Sequence, residues 1–309
     1  MRPTRVFGID FQHPVLLAAG TCGFGEPVID VMDLGDIGGI VTKSVTPEPR
    51  SGNPAPRVAE YRHGMLNSVG LANPGLEAVR RDKLPWMRQH LGKLPVIVSV
   101  AGHTPEEYGQ VVEGLEGEDG FQAFELNLSC PNDARLGGRP FALDPESLQT
   151  VLEVVRPKTV RPLVVKLAPN DPDIASTAAL AVAHGADGIT AVNTVPGYLT
   201  HGSTGRPVLG AGPGGTSGPA MLPVGLAAVR QVAQRVDVPV IGVGGILSAD
   251  DALLYFQAGA TMVGVGTGSF ADPRCGPRVA LGVARAQSAA SNVYPARAAT
   301  APGPVPSKS

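Results

Sequence analysis

The stretch Phe121-Gln-Ala-Phe-Glu-Leu-Asn-Leu-Ser-Cys-Pro-Asn132 decides the fold. Apolar side chains dominate its first part, while short amides, a hydroxyl and a thiol gather at its end, where Pro131 removes a ladder donor and stops strand pairing. This is the form of a strand buried on both faces that delivers polar groups at its C-terminal tip. Apolar runs of the same kind, ending in glycine or a polar residue, recur at residues 13–20, 39–44, 94–102, 161–168, 188–193, 238–244 and 260–266. Helix-like segments alternate with them at 76–91, 105–115, 144–155, 172–184, 220–236, 248–259 and 276–290, and residues 28–34 are predicted as a short first helix. Thr104 before Pro105, and Ser248 before Ala249-Asp-Asp, are cap residues in the right places.

Eight strand–helix units in an uninterrupted chain predict an α/β fold, a closed (β/α)8 TIM barrel occupying residues 1–290 as one domain. A doubly wound open sheet is the competing arrangement. Against it, the first strand-to-helix turn, Ala18-Ala-Gly-Thr-Cys-Gly-Phe-Gly25, lacks the GxGxxG spacing and has no obvious acidic partner further on. Forty glycines and 30 prolines suit many tight turns, and only 5% aromatic residues leave an interior of valine, alanine, leucine and isoleucine.

A net charge of -2 without any lysine or arginine block excludes a general nucleic-acid surface. The three cysteines, Cys22, Cys130 and Cys275, have no CxxC spacing, and the six histidines are scattered without HExxH, so neither a metal nor an iron–sulfur cluster is expected in this chain. The first ten residues carry no signal-peptide core, and no apolar run is long enough to span a membrane, so a cytoplasmic protein is expected. Residues 291–309, rich in proline, alanine and serine, read as a disordered tail.

Two connections are long, residues 44–75 after the second strand and 194–218 after the sixth. In a barrel both lie on the face that carries chemistry, where they form lid and wall. Strand ends and loops there supply Lys43, Asn67, Ser99, Asn127, Cys130, Asn132, Lys166, Asn193 and Thr194. Lysines at the ends of apolar strands need anionic or strongly accepting neighbours, and asparagines fix planar amide-bearing molecules, so this set suits a planar, negatively charged ligand. A thiol ionises near pH ~8.5 when unperturbed, which makes Cys130 a candidate base or nucleophile. Gly214-Gly-Thr-Ser-Gly218, Gly242-Val-Gly-Gly245 and Gly264-Val-Gly-Thr-Gly268 provide backbone N–H groups for a phosphate, the last two after strands seven and eight where barrels bind phosphate.

Taken together these pieces resemble the class 1 dihydroorotate dehydrogenases, most closely the catalytic subunit of the two-subunit, NAD-linked 1B form. The resemblance rests on residues 18–25, Gly52-Asn-Pro-Ala-Pro-Arg-Val-Ala-Glu60, Gly64-Met-Leu-Asn-Ser-Val-Gly-Leu-Ala-Asn-Pro-Gly75, residues 125–132, Val165-Lys-Leu-Ala-Pro-Asn170, Ala191-Val-Asn-Thr194, residues 214–222 and residues 240–245. It implies one FMN per chain and oxidation of (S)-dihydroorotate to orotate in pyrimidine (UMP) synthesis. By the same resemblance Cys130 is the base, while Lys43, Asn67, Ser68, Val69, Gly70, Leu71, Asn127, Asn132, Asn193 and Thr194 bind substrate. Thr21, Lys43, Ser44, Ser99, Asn127, Lys166, Val192, Gly218, Gly244, Gly245, Gly266 and Thr267 match flavin-contact positions.

The 1B resemblance further implies a homodimer joined by electron-transfer subunits that carry FAD and a [2Fe-2S] cluster, a heterotetramer delivering electrons to NAD⁺. The chain departs from the family pattern at Ser99, often asparagine, at Ala72, where 1B members have glutamine, and along residues 195–201. A self-sufficient 1A-like homodimer using fumarate and a noncatalytic flavin- or phosphate-binding barrel are the alternatives.

Overall fold

The computed structural model describes residues 4–128 and 140–293. In chain order its strands are β1 (Thr4–Val6), β2 (Ile9–Phe11), β3 (Val15–Leu17), β4 (Gly39–Val41), β5 (Val58–Tyr61), β6 (Gly64–Asn67), β7 (Val96–Val100), β8 (Ala123–Asn127), β9 (Leu163–Lys166), β10 (Gly188–Ala191), β11 (Val195–Gly197), β12 (Gly214–Ser217), β13 (Val240–Val243) and β14 (Met262–Val265). Eight of them close a parallel barrel in the order β10-β13-β14-β3-β4-β7-β8-β9. Closure rules out the open doubly wound sheet. Each barrel strand falls within one of the apolar runs read from the sequence.

Alternation along the strands divides the barrel interior into levels. At the bottom, Leu16, Val41, Ile97, Ala123, Val164, Ile241 and Met262 form a dry layer. The antiparallel hairpin of β1 and β2 seals it with Val6 and the fully buried Phe11. Two residues further along the same inward rows, the side chains turn polar: Lys43 after Val41, Ser99 after Ile97, Glu125 and then Asn127 after Ala123, and Lys166 after Val164. The interior is therefore oily at one end and polar at the other.

Helices cover the outside. Thr104 caps Pro105–Glu116 by accepting from the Glu107 amide, and Ser248 with Asp251 makes a reciprocal capping box on Ala249–Ala258. The segment read as one helix over 76–91 is interrupted by a π turn, Val79–Lys83, between Leu76–Ala78 and Leu84–His90. Pro85 has no N–H to give to the preceding turn, and the wider turn absorbs the gap.

The short helix expected at 28–34 does not form. Scattered turn bonds (Val28 N to Gly25 O, Val31 N to Val28 O) lead instead to a 3-10 turn, Leu34–Asp36, capped by Asp33. β-Branched Val28, Ile29 and Val31 with Asp30 and Asp33 give it little helix propensity. The last helix, Cys275–Val293, runs past residue 290, and the tail expected beyond it lies outside the described residues.

The two long connections do not stay separate. The first folds into the β5–β6 hairpin and the second supplies β11 and β12, and together they make a four-stranded antiparallel sheet in the order β11-β12-β6-β5. In the β6–β12 register Gly215 faces Asn67 and Ser217 faces Met65.

Candidate active site

A cavity with about 1220 Å³ of atom-free space, part of it open to solvent, lies at the C-terminal mouth of the barrel and under the added sheet. On its floor stand Lys43, Ser44, Asn127 and Lys166 from the ends of β4, β8 and β9, with Val192, Asn193 and Thr194 following β10. These groups are tied together. Asn193 Nδ2 donates to Asn127 Oδ1 at 3.2 Å, Asn127 Nδ2 donates to Ser44 Oγ at 3.3 Å, and Ser44 Oγ lies 2.8 Å from Ser99 Oγ. Tyr108 fixes the backbone of the same strand end by donating to the Asn127 carbonyl at 2.9 Å.

The added sheet forms the roof. Alternation on β5 and β6 turns Val58, Met65 and Asn67 to the cavity, and the following residues Val69, Gly70 and Leu71 continue the lining. Asn67 Nδ2 donates to the Gly215 carbonyl, so its side chain is locked by the neighbouring strand. Gly70 has φ 70°, and a Cβ there would stand 2.4 Å from Asn53 Oδ1, so only glycine fits. Asn73, 9% exposed, anchors the end of this loop: its amide donates to Leu71 O and Thr46 Oγ1 and accepts from the Thr46 and Gly75 amides.

On the opposite side the lining is nearly all backbone. Ala18, Gly20 and Thr21 follow β3, Gly218 follows β12, Gly244 and Gly245 follow β13, and Gly266 and Thr267 follow β14. A Cβ on Gly245 would stand 2.5 Å from the amide nitrogen of Leu222, the first residue of the helix Leu222–Ala233. The loop thus reaches the positive end of a helix dipole with only glycine allowing the approach, which is a cradle for a phosphate. Buried Tyr255 steadies it from behind, donating from its hydroxyl to the Gly244 carbonyl at 2.7 Å.

Charge is unevenly placed. Among the described residues two lysines and no carboxylate line the cavity. Directly below it, Glu125 is 2% exposed; its Oε2 accepts from Thr190 Oγ1 at 2.8 Å, and its Oε1 is 4.0 Å from Lys166 Nζ. Cys22 is fully buried, and burial pushes its thiol up to about 12, so it is no reagent at neutral pH. Burial also raises Cys275. Among the described residues, no group of three histidine, cysteine, aspartate or glutamate side chains is arranged to hold a metal. No described helix is long and apolar enough to cross a membrane.

Two residues expected at the site have side chains outside the cavity lining. Ser68 follows Asn67 and therefore points to the other face, where it accepts from Asn53 Nδ2 at 2.8 Å. Ser99 is inward but one level too low, fully buried beneath Ser44. Cys130 and Asn132 lie outside the described residues. Sequence reasoning missed Val58, Met65, Met221, Leu247 and Phe270, apolar side chains of the lining that carry no polar signal, and the supporting roles of Asn53 and Asn73.

Fold and cavity together define an α/β barrel with a glycine cradle suited to a phosphate beside a polar, lysine- and asparagine-lined pocket. The chain belongs to the dihydroorotate dehydrogenase family, whose model matches residues 1–286. It is 44% identical over 279 residues to the dihydroorotate dehydrogenase B (NAD(+)), catalytic subunit, of Geotalea uraniireducens, covering 90% of each chain. It is 43% identical over 272 residues to the protein of that name from Geobacillus kaustophilus, covering 88% of this chain and 86% of the other. The protein of that name from Streptococcus pneumoniae serotype 4 is 43% identical over 273 residues, 88% of each.

Proposed function

We propose that this chain is the catalytic subunit of an NAD-linked dihydroorotate dehydrogenase, oxidising (S)-dihydroorotate to orotate with one bound FMN and passing the electrons to a separate subunit. The observation that carries this reading is the union, in one cavity, of a lysine–asparagine floor with a glycine cradle, on a chain of this family. The residues present fit FMN. Glycines that admit no Cβ supply close backbone approach for its phosphate, and Lys166 offers positive charge where its ring system would lie. FMN, when bound, supplies the two-electron acceptor.

The chain's own residues then bind, orient and move a proton. Lys43 pairs with the substrate carboxylate, and Asn67, Asn127, Asn193 and Thr194 satisfy the donors and acceptors of the dihydropyrimidine ring. The hydrogen bonds among Asn193, Asn127 and Ser44 hold these amides in place before substrate arrives. The roof of Val58, Met65 and Leu71 excludes water. Cys130, which follows β8, takes the proton from substrate C5 as its general base, with Asn132 adding a substrate contact. Lys166 offsets the negative charge that develops as electrons leave the substrate.

Carriage of FAD and a [2Fe-2S] cluster belongs in this reading to an electron-transfer partner, joined to a homodimer of this chain as a cytoplasmic heterotetramer. The names of the relatives, all catalytic subunits of an NAD(+) enzyme, support it. The test is anaerobic. Dihydroorotate added to the purified, flavin-bearing chain bleaches the flavin, and NAD⁺ reoxidises it quickly only once the partner is supplied. Rapid turnover of the isolated chain with fumarate would overturn the NAD assignment, and a flavin that never bleaches would overturn the oxidation itself.

A further inference from the structure

Glu125 stands apart from every role assigned above. It is a carboxylate in the barrel interior, 2% exposed, and Oε1 has no hydrogen-bond partner. A carboxylate oxygen without a donor costs free energy, and the nearest compensation is the Lys166 ammonium 4.0 Å away. Strand register makes the pairing structural. Thr190 on β10 is the direct partner of Lys166 on β9, Asn127 on β8 faces Lys166 from the other side, and Thr190 Oγ1 holds the second carboxylate oxygen at 2.8 Å. Lys166 is therefore flanked by both neighbouring strands, and the carboxylate beside it is itself fastened by Thr190. Lys43 is the other cation of the lining, and among the described residues no acid lines the cavity, whereas Glu125 lies just below it beside Lys166.

We propose that Glu125 is a positioning residue that anchors the Lys166 ammonium and offsets its charge, and so sets how strongly the cavity favours reduction of the bound flavin. The inference rests on the FMN reading. Water is largely excluded at this level, so the two charges are poorly screened, and removing one alters the field felt by whatever Lys166 touches. Lysine favours the negative charge that reduction brings, and the carboxylate below it opposes that effect.

The experiment is a potentiometric titration of the flavin bound to the intact protein, which a purely structural glutamate would not move. Glu125→Gln is expected to raise the two-electron reduction equilibrium tenfold or more, about 30 mV for such a couple. Lys166→Met is expected to lower it by a similar factor. The double variant Glu125→Met with Lys166→Met, which replaces the buried pair by apolar groups, returns to within about threefold of the parent. An unchanged or lowered potential in Glu125→Gln would overturn the inference. If that variant does not fold, a double variant whose potential equals that of Lys166→Met alone overturns it equally. A chain that takes up no flavin would sink both this inference and the FMN reading, whereas a potential that responds to Lys166→Met but not to Glu125 sinks the inference alone.

Discussion

The side-chain amide of Asn193 donates to the side-chain oxygen of Asn127 across the end of β9, at 3.2 Å. Asn127 passes the chain on to Ser44, so the ends of β4, β8 and β10 share one line of hydrogen bonds. Neither asparagine can move without disturbing the other. Asn127→Ala and Asn193→Ala are each expected to weaken orotate binding about tenfold, roughly the worth of one or two polar contacts. The double variant should lose less than the product of the two, measured by the perturbation of the flavin spectrum on adding orotate.

Cys130→Ala should keep its flavin but reduce it about 10²- to 10⁴-fold more slowly with dihydroorotate, the usual contribution of a general base. Cys130→Ser should be less impaired as pH rises. Stopped-flow absorbance measures both, and an unaltered rate in the alanine variant would exclude the thiol as base.

The Asn73 side chain makes four hydrogen bonds, two that fasten the loop after β6 to Thr46 in the segment after β4 and two that brace the loop itself at Leu71 and Gly75. Asn73→Ala leaves the Thr46 and Gly75 amides without this acceptor, at a cost of about 2–4 kcal/mol in urea unfolding. Because Val69, Gly70 and Leu71 precede it, the apparent substrate affinity should fall as well. A variant with full stability and full affinity would show the loop to be held by other means.

Burial pushes the Cys22 thiol well above the ordinary thiol range, up to about 12. In the unfolded chain that thiol ionises near its ordinary value, so between about pH 9 and pH 12 the unfolded state binds fewer protons than the native one. Stability contributed by this group is complete below pH ~9 and falls as pH rises, by about 1.4 kcal/mol for each further pH unit. Cys22→Ala is expected to flatten that alkaline slope. Urea titrations near pH ~8 and pH ~10 check it, and an equally steep decline without the thiol would disprove the assignment.

How much of this was legible depends on which physical signal each part carries. The barrel strands were readable because a strand covered on both faces must be apolar at nearly every position, as Val96–Val100 and Leu163–Lys166 are. The β1–β2 hairpin was not, since three-residue strands such as Thr4–Val6 carry too little alternation to register. Both long connections could be assigned to the mouth from their length. Their pairing could not, because Asn67 and Gly215 are 148 residues apart and meet only in the folded chain. The side chains of Ser68 and Ser99 fall outside the lining for a related reason: a motif gives the right neighbourhood, but which face and which level a side chain occupies follow from register. Glu125 was visible in the opening stretch, and only its place below Lys166 gives it meaning.

The pairing of β12 with β6 makes one plate from two segments that lie far apart along the chain. A residue gained or lost within β6 would swing Asn67 or Met65 from the cavity to the outside, and one within β12 would slide it against β6 and unseat the Gly215 carbonyl that locks Asn67. Length changes in the two halves are thereby yoked: a wider doorway that keeps this ladder requires both strands to be altered together.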